Sequence, residues 1–344
     1  MRVSLRWMSG HHVHRRALPL AGLLVLAALL QLGAAVAVSS IAGFDAVGAA
    51  LDAVDWPWLV PAAAFGAVSY AGYRAAYRGI YRADGGRPLP DRQMTAVVLA
   101  GWVGVLTHGG AGLDRDAVLA TGACERDASI RVAALAGIEQ AVLAIGGSLA
   151  SIAVLVAGMP KPTPDFTLPW AILPLPSFCL ALWLARRYAD RLRGRDGWRD
   201  RLSVFHDTTL LATDLFRRAI GRESAVLGMA LFWIAEGAAM WACVHGFGFA
   251  MNPAPLAVAF ATGMLFTRRT ALLGGAGLLM LVLPLTVWYS GAPLAVSVAA
   301  VFSYRVLTLW LPLPLSLAAR RHLRAVAAYP GDDRHPVQVG SATS

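Results

Sequence analysis

Residues 97–119 read VVLAGWVGVLTHGGAGLDRDAVL, and residues 270–284 read TALLGGAGLLMLVLP. Both contain the pentapeptide Gly-Gly-Ala-Gly-Leu, first at 109–113 and again at 274–278. Glycine-rich stretches usually mark exposed loops, because glycine adopts backbone conformations closed to other residues. These two sit inside some of the most apolar sequence of the chain, so their surroundings decide how they are read.

Of the 344 residues, 57% are apolar, and the mean hydropathy is +0.58. That is more apolar material than a soluble core of this length requires. A bilayer core about 30 Å thick takes about 20 apolar residues in a helix. Six clear runs of that kind occur, at 17–42, 56–77, 129–159, 168–185, 225–245 and 293–317. The chain therefore reads as an all-α, polytopic integral membrane bundle. Its first apolar run is too long for a signal peptide and reads as an uncleaved helix.

The net charge of +10 comes mostly from Arg placed beside apolar runs. That placement is the signature of cytoplasmic anchoring and excludes a basic nucleic-acid-binding domain. Arg2, Arg6, Arg15 and Arg16 put the N-terminal tail inside, and the loop with Asp45, Asp52 and Asp55, which has no Lys or Arg, outside. Arg78, Arg82, Arg87 and Arg92 return the chain inside, and the ten Arg of residues 186–222 must also be inside. Spans 129–159 and 168–185, joined by the proline-rich turn 160–164, already use an even number of crossings between those two points.

Segment 93–128 must therefore begin and end inside although it is apolar enough to enter the membrane. By the same count, segment 254–291 begins and ends outside, because the last span finishes beside Arg320, Arg321 and Arg324. Each glycine pentapeptide thus belongs to a broken, re-entrant hairpin, and the two hairpins have opposite sense. Irregular backbone at membrane depth requires burial in protein or a wet cavity, since lipid cannot satisfy its polar groups.

A span precedes each hairpin and a long helix with an internal charge follows it, Glu139 in the first case and Arg305 in the second. This is the pattern of an inverted-topology repeat. The expected organisation is a basic cytoplasmic tail at 1–16 and a membrane domain at 17–325. Within that domain, repeat 1 covers about 56–159, a basic cytoplasmic loop 186–222, and repeat 2 about 225–317. A disordered cytoplasmic tail at 326–344 completes the chain, with both termini cytoplasmic in a multi-pass plasma-membrane protein.

Ionisable groups at a helix centre cost about 2.5–3.5 kcal/mol on insertion scales, so each needs a partner or a purpose. Glu139 and Glu236 read equally as structural hydrogen-bonding groups or as ligand-facing acids. Arg305 is placed to meet a phosphate, because guanidinium forks match phosphate oxygens. An ion pair from Arg305 to Glu139 is the structural alternative. Arg268 and Arg269 interrupt the second hairpin at its expected turn.

Around the first hairpin stand His108, Gly109, Gly110, Gly112, Asp114, Arg115 and Asp116. Backbone N–H groups there suit an anion, which the two acids oppose, so interfacial capping is the expectation for Asp114 and Asp116. Gly274, Gly275 and Gly277 allow the second bend. His206-Asp207 lies in a basic, mildly amphipathic segment at the membrane surface.

No catalytic residues, metal ligands or cofactors are expected. Cys124, Cys179 and Cys243 share no ligand spacing and read as packing residues, and no Gly-x-Ser-x-Gly elbow is present.

Residues 97–143, VVLAGWVGVLTHGGAGLDRDAVLATGACERDASIRVAALAGIEQAVL, together with GGAGLLMLVLP at 274–284 and SYRVLTLWLPLPLSL at 303–317, resemble the membrane region of the lysylphosphatidylglycerol synthases and their stand-alone flippase-like relatives. The likeness extends over about residues 50–325. Two departures stand out. Leu273 replaces the proline common before the second glycine turn, and Met280 stands where the family places an acid. Nothing after Pro330 supplies the synthases' aminoacyl-transferase domain, so synthesis of an aminoacylated lipid is not expected.

The resemblance implies lipid translocation or handling, with a phospholipid or polyprenyl-phosphate headgroup as cargo and membrane lipids as partners. Arg305, with Arg268 or Arg269, would hold phosphate, and Glu139 and Glu236 would balance charge. Two alternatives stand beside it. One is a membrane-embedded transferase acting on a lipid carrier, and the other a non-catalytic partner that holds a cytosolic enzyme through residues 186–222.

Overall fold

The computed structural model describes residues 20–83, 86, 89–107, 111–119, 121, 123–192, 198–218, 224–265 and 276–328. Every regular element among them is helical. The helices are α1 (Leu20–Ala42), α2 (Phe44–Asp52), α3 (Leu59–Arg82), α4 (Asp91–Thr107), α5 (Ala111–Leu119), α6 (Glu125–Val156) and α7 (Pro164–Ile172). They continue with α8 (Pro174–Leu192), α9 (Trp198–Arg217), α10 (Ala225–Gly246), α11 (Pro253–Leu265), α12 (Ala276–Tyr289), α13 (Leu294–Arg305) and α14 (Leu313–Ala328). The protein is an all-α, multi-pass membrane bundle.

Among the described residues, five helical stretches are long and apolar enough to cross a bilayer: Leu20–Ala42, Glu125–Val156, Pro164–Leu184, Ala225–Gly246 and Leu294–Leu323. Span 56–77 is the exception among the six expected. It opens with a 3-10 turn, Trp56–Trp58, and continues as α3, which is long enough at 24 residues. However, α3 carries four tyrosines and Arg74, Arg78 and Arg82. Its tyrosines lie on the face that packs against α10 and α4, and Arg74 and Arg78 pair with Asp91 of α4, while Val60 and Val68 are exposed on the other face.

Buried positions of α3 recur at Ala62, Gly66, Ser69, Tyr73, Ala76 and Ile80, the three-and-four spacing of a helix seam. The two helices run antiparallel. The Asp55 N–H donates to the Gly246 carbonyl at 2.7 Å at one end, and Ala76 meets Gly228 at the other. They cross closest at Gly72 and Gly228, where each backbone lies against the other.

Segment 254–291 forms a hairpin of two short helices. α11 and α12 lie side by side, with Gly263 against Leu283 and the Thr286 hydroxyl donating to the Ala259 carbonyl at 3.0 Å. Their described lengths are 13 and 14 residues. Segment 93–128 likewise forms two short helices, α4 and α5, in mutual contact. The long helices that follow the hairpins have reciprocal partners, α6 along α11 and α14 along α4.

The last three residues of each pentapeptide are not loop. Ala111, Gly112 and Leu113 lie in α5, and Ala276, Gly277 and Leu278 lie in α12. Gly109, Gly110, Gly274 and Gly275 lie outside the described residues. Residues 186–222 include the end of α8 and the whole of α9. α9 is amphipathic, and it packs Ala212 and Leu215 inward while Arg217 and Arg218 stay exposed.

The final helix is broken in a way its sequence explains. Pro312 has no N–H, so the Thr308 carbonyl lacks its ordinary partner four residues on. The indole N–H of Trp102 takes that place, donating to the Thr308 oxygen at 3.1 Å. The Thr308 hydroxyl in turn donates to the Tyr304 carbonyl at 2.9 Å. Residues Val306–Trp310 adopt a π-helical turn, closed by Leu311 N–H to Val306 oxygen at 2.8 Å.

Candidate functional site

The α3/α10 crossing organises the interior. One residue along α10 from the crossing contact at Phe232 stands Trp233, and one turn further stands Glu236. Glu236 is 5% exposed, and the hydroxyl of Tyr304 on α13 donates to its carboxylate. Glu139, on α6, is 1% exposed, and its backbone carbonyl accepts the Trp233 indole N–H at 2.8 Å. The two acids expected at helix centres are therefore both inside the bundle, on helices that touch.

Aromatic rings link this layer to the rest of the domain. Phe260 of α11 stands edge-on to Trp233 at 6.1 Å and to Tyr304 at 6.0 Å. Phe232 meets Tyr73 at 5.2 Å, and Tyr70 stacks on Trp102 of α4 at 4.0 Å. Arg305 follows Tyr304 as the last residue of α13, half-buried at the start of the π turn. Gln31 of α1 accepts the Trp310 indole N–H at 2.9 Å, and its own amide nitrogen is buried without a hydrogen-bond partner.

At the first glycine segment, the expected interfacial capping by Asp114 is replaced by burial. Asp114 is 7% exposed and accepts a hydrogen bond from the Tyr77 hydroxyl of α3. It is the fourth residue of α5 and not its cap, so its carboxylate ties the hairpin to the central helix. Asp116 is half-buried, whereas Arg115 is exposed and pairs with Glu125 at the start of α6. Gly112 has open space beside it, while a Cβ on Gly277 would lie 3.3 Å from the Leu30 carbonyl oxygen of α1. His108, Arg268 and Arg269 lie outside the described residues.

The sequence reading did not single out Arg131, which lies just inside the start of span 129–159. It is 7% exposed, and its guanidinium donates to the carbonyls of Ile80 at 2.7 Å, Tyr81 at 3.3 Å and Ala83 at 3.0 Å. Those carbonyls lie at the end of α3. Arg131 also pairs with Asp127 at 2.9 Å, one turn earlier on its own helix. Tyr77 and Tyr304, the hydroxyl partners of two acids, were also missed. Their signal was the run Tyr70, Tyr73, Tyr77 and Tyr81 on one stripe of α3, and the placement of Tyr304 beside Arg305.

On α9, His206 and Asp207 form a contact at 3.1 Å, and Arg126 reaches Asp207 at 2.8 Å and Ser203 at 2.9 Å. Burial raises the Asp207 carboxyl, but hydrogen bonds from Arg126 and His206 outweigh it and hold the group below its ordinary range. The trio clamps α9 to the start of α6. Among the described residues, no three His, Cys, Asp or Glu side chains are placed to hold a metal ion. Of the three cysteines only Cys243 is a packing residue, while Cys124 caps α6 by accepting from the Asp127 N–H and Cys179 is exposed.

The arrangement is thus an apolar bundle with a thin polar layer held by phenol and indole groups. A layer of that kind can lower the cost of a charged group at membrane depth. The family model described as the lysylphosphatidylglycerol synthase TM region matches residues 20–316. No curated protein matches the chain. The match covers most of the 344 residues, and the chain belongs to that family.

Proposed function

We propose that this member of the lysylphosphatidylglycerol synthase TM-region family, a membrane protein concerned with lipids, moves a lipid headgroup between leaflets. The cargo is a phospholipid or a polyprenyl phosphate. The reading is carried by one observation. Glu139 and Glu236 are 1% and 5% exposed in a helix bundle, on helices that touch, and Tyr304, which donates to Glu236, is followed in the chain by Arg305. Two carboxyl groups retained inside the bundle would together cost about 5–7 kcal/mol on insertion scales if they served nothing.

In this reading the two helical hairpins belong to inverted repeats, and the reciprocal pairing of α6 with α11 and α14 with α4 supports that. Both termini are cytoplasmic, in the plasma membrane. Arg305 contacts the phosphate, with Arg268 or Arg269 as its companion, and the acids balance the charge. The hydrocarbon chains stay in the lipid phase while the headgroup crosses.

The test is translocation of a dye-labelled phospholipid by purified protein in vesicles. Arg305→Ala should lose most of the wild-type rate while keeping the wild-type melting temperature. An unchanged rate refutes the role given to Arg305. Topology is tested separately with single cysteines placed in 160–164, in a background lacking Cys124 and Cys179. Labelling of that turn from the cytoplasmic side refutes the crossing count.

A further inference from the structure

A cavity of about 700 Å³ opens on the side of the bundle between α6, α10 and α11. Phe65 of α3 reaches its back wall, and its lining is almost entirely hydrocarbon. Its floor is Leu143, Trp233 and Phe260, and its mouth is flanked by Ile145, Leu149 and Ile234, at 47%, 64% and 69% exposed. The groove is cut by missing side chains: a Cβ on Gly146 or Gly237 would meet nothing within 4 Å.

We infer that this groove seats one hydrocarbon chain of a membrane phospholipid. Three observations select that occupant. From Ala230 to Trp241 the groove follows α10 for about 16 Å at 1.5 Å per residue. That matches one leaflet, about half of the roughly 30 Å hydrocarbon core. The groove opens on the flank of the bundle, where Ile145, Leu149 and Ile234 at its mouth are exposed as lipid-facing side chains are. A single chain is narrow enough to enter through the open side, and the walls offer it contact without any hydrogen-bonding demand.

The groove also shares its walls with the acid layer. Trp233 lines the groove and donates its indole N–H to the Glu139 carbonyl. Phe260 lines it and meets the ring of Tyr304, which holds Glu236. A chain lying in the groove is therefore one ring away from the Glu139 backbone and two rings away from the Glu236 carboxylate. The inference rests on the lipid-handling reading and names where one chain of the lipid is held.

The experiment uses the full chain in vesicles of phosphatidylethanolamine and phosphatidylglycerol, doped with a phospholipid carrying a diazirine midway along one chain. After irradiation, cross-links are mapped by peptide mass spectrometry. Labelling should be several-fold denser in 142–149, 230–241 and 253–261 than on the exposed α1 residues Leu29, Leu32 and Val36, which face lipid without a groove. The double variant Gly146→Leu and Gly237→Leu, which fills open space without a clash, should lose that excess and remain monodisperse.

Labelling no denser than on α1, an excess that survives the filled groove, or a groove occupied by a second copy and inaccessible to lipid each overturns the inference. Translocation is measured in the same vesicles. Label in the groove without translocation overturns the translocation reading and leaves the groove standing. Translocation without label does the reverse.

Discussion

Gly228→Ala should destabilise the protein, and Gly237→Ala, nine residues further along α10, should not. A Cβ on Gly228 would lie 2.3 Å from the Ala76 nitrogen and 2.8 Å from both the Ala75 carbonyl carbon and the Gly72 oxygen. All three neighbours are backbone, so no side chain can swing away. The helices would have to part by about 1 Å to restore ordinary contact near 3.5 Å. Overpacking of this kind costs about 3 kcal/mol at the upper end of the usual range.

Alanine recovers about 1 kcal/mol of helix propensity, which leaves a net loss of about 2 kcal/mol. At Gly237 a Cβ meets nothing within 4 Å, so only the propensity gain of about 1 kcal/mol remains. The two variants should differ by about 3 kcal/mol, or about 6–12 °C in melting temperature at 2–4 °C per kcal/mol. Differential scanning fluorimetry in detergent reads this directly, because Trp233 and Trp241 lie on the same helix. Equal melting temperatures, or a more stable Gly228→Ala, would refute the claim that bare backbone contact holds α3 to α10.

Arg131→Met should cost about 2–3 kcal/mol, since buried hydrogen bonds to a charged group are worth about 1.5–3 kcal/mol and the Tyr81 carbonyl loses its donor, while Ile80 and Ala83 keep the Ala83 and Gly86 N–H groups. A lowered melting temperature with unchanged helical circular dichroism checks it. The clamp on α9 predicts an acid effect. Asp207 has its carboxyl depressed in the folded state, so its contribution is fully present above the unfolded value near 3.9. It is lost as pH falls through the lower folded value. Melting temperature should fall on acidification through that window, and Asp207→Asn should remove that part of the dependence.

The class of fold was legible because bilayer thickness imposes a length and a composition that no side-chain detail can hide. Segments 93–128 and 254–291 stood out because their apolar runs are interrupted, and each holds two short helices among the described residues. What escaped was set by neighbours distant in sequence. Span 56–77 looked like any other span, yet its tyrosines and arginines are tolerated only because α10 and α4 replace lipid on the face that carries them. Asp114 looked interfacial because its own segment is polar, and the phenol that buries it comes from Tyr77, 37 positions earlier. Arg131 was indistinguishable from an anchoring charge, since the carbonyls it caps belong to another helix. The acids at 139 and 236 were the reverse case. An ionisable group inside an apolar run is conspicuous by itself, and only its partner required coordinates.

The crossing and the acid layer form one device. Glu236 lies two turns from Gly228, about 12 Å along α10 at 1.5 Å per residue, so its height is fixed by where α10 meets α3. That meeting is made by backbone atoms on both sides, and backbone contacts have one separation, whereas side-chain contacts adjust by changing rotamer. Tyr304 reaches Glu236 from α13, and in the π turn that follows the Trp102 indole satisfies the carbonyl left open by Pro312. A rigid pair at the centre thus positions the buried acids. The hairpin α11–α12 meets that centre through Phe260 and Trp233, and it packs closely on α6 where Ala261 faces Gly147 and on α1 where Gly277 faces the Leu30 backbone. The groove therefore lies along a wall whose two sides are held by close glycine contacts, which fixes the height of the groove against the buried acids.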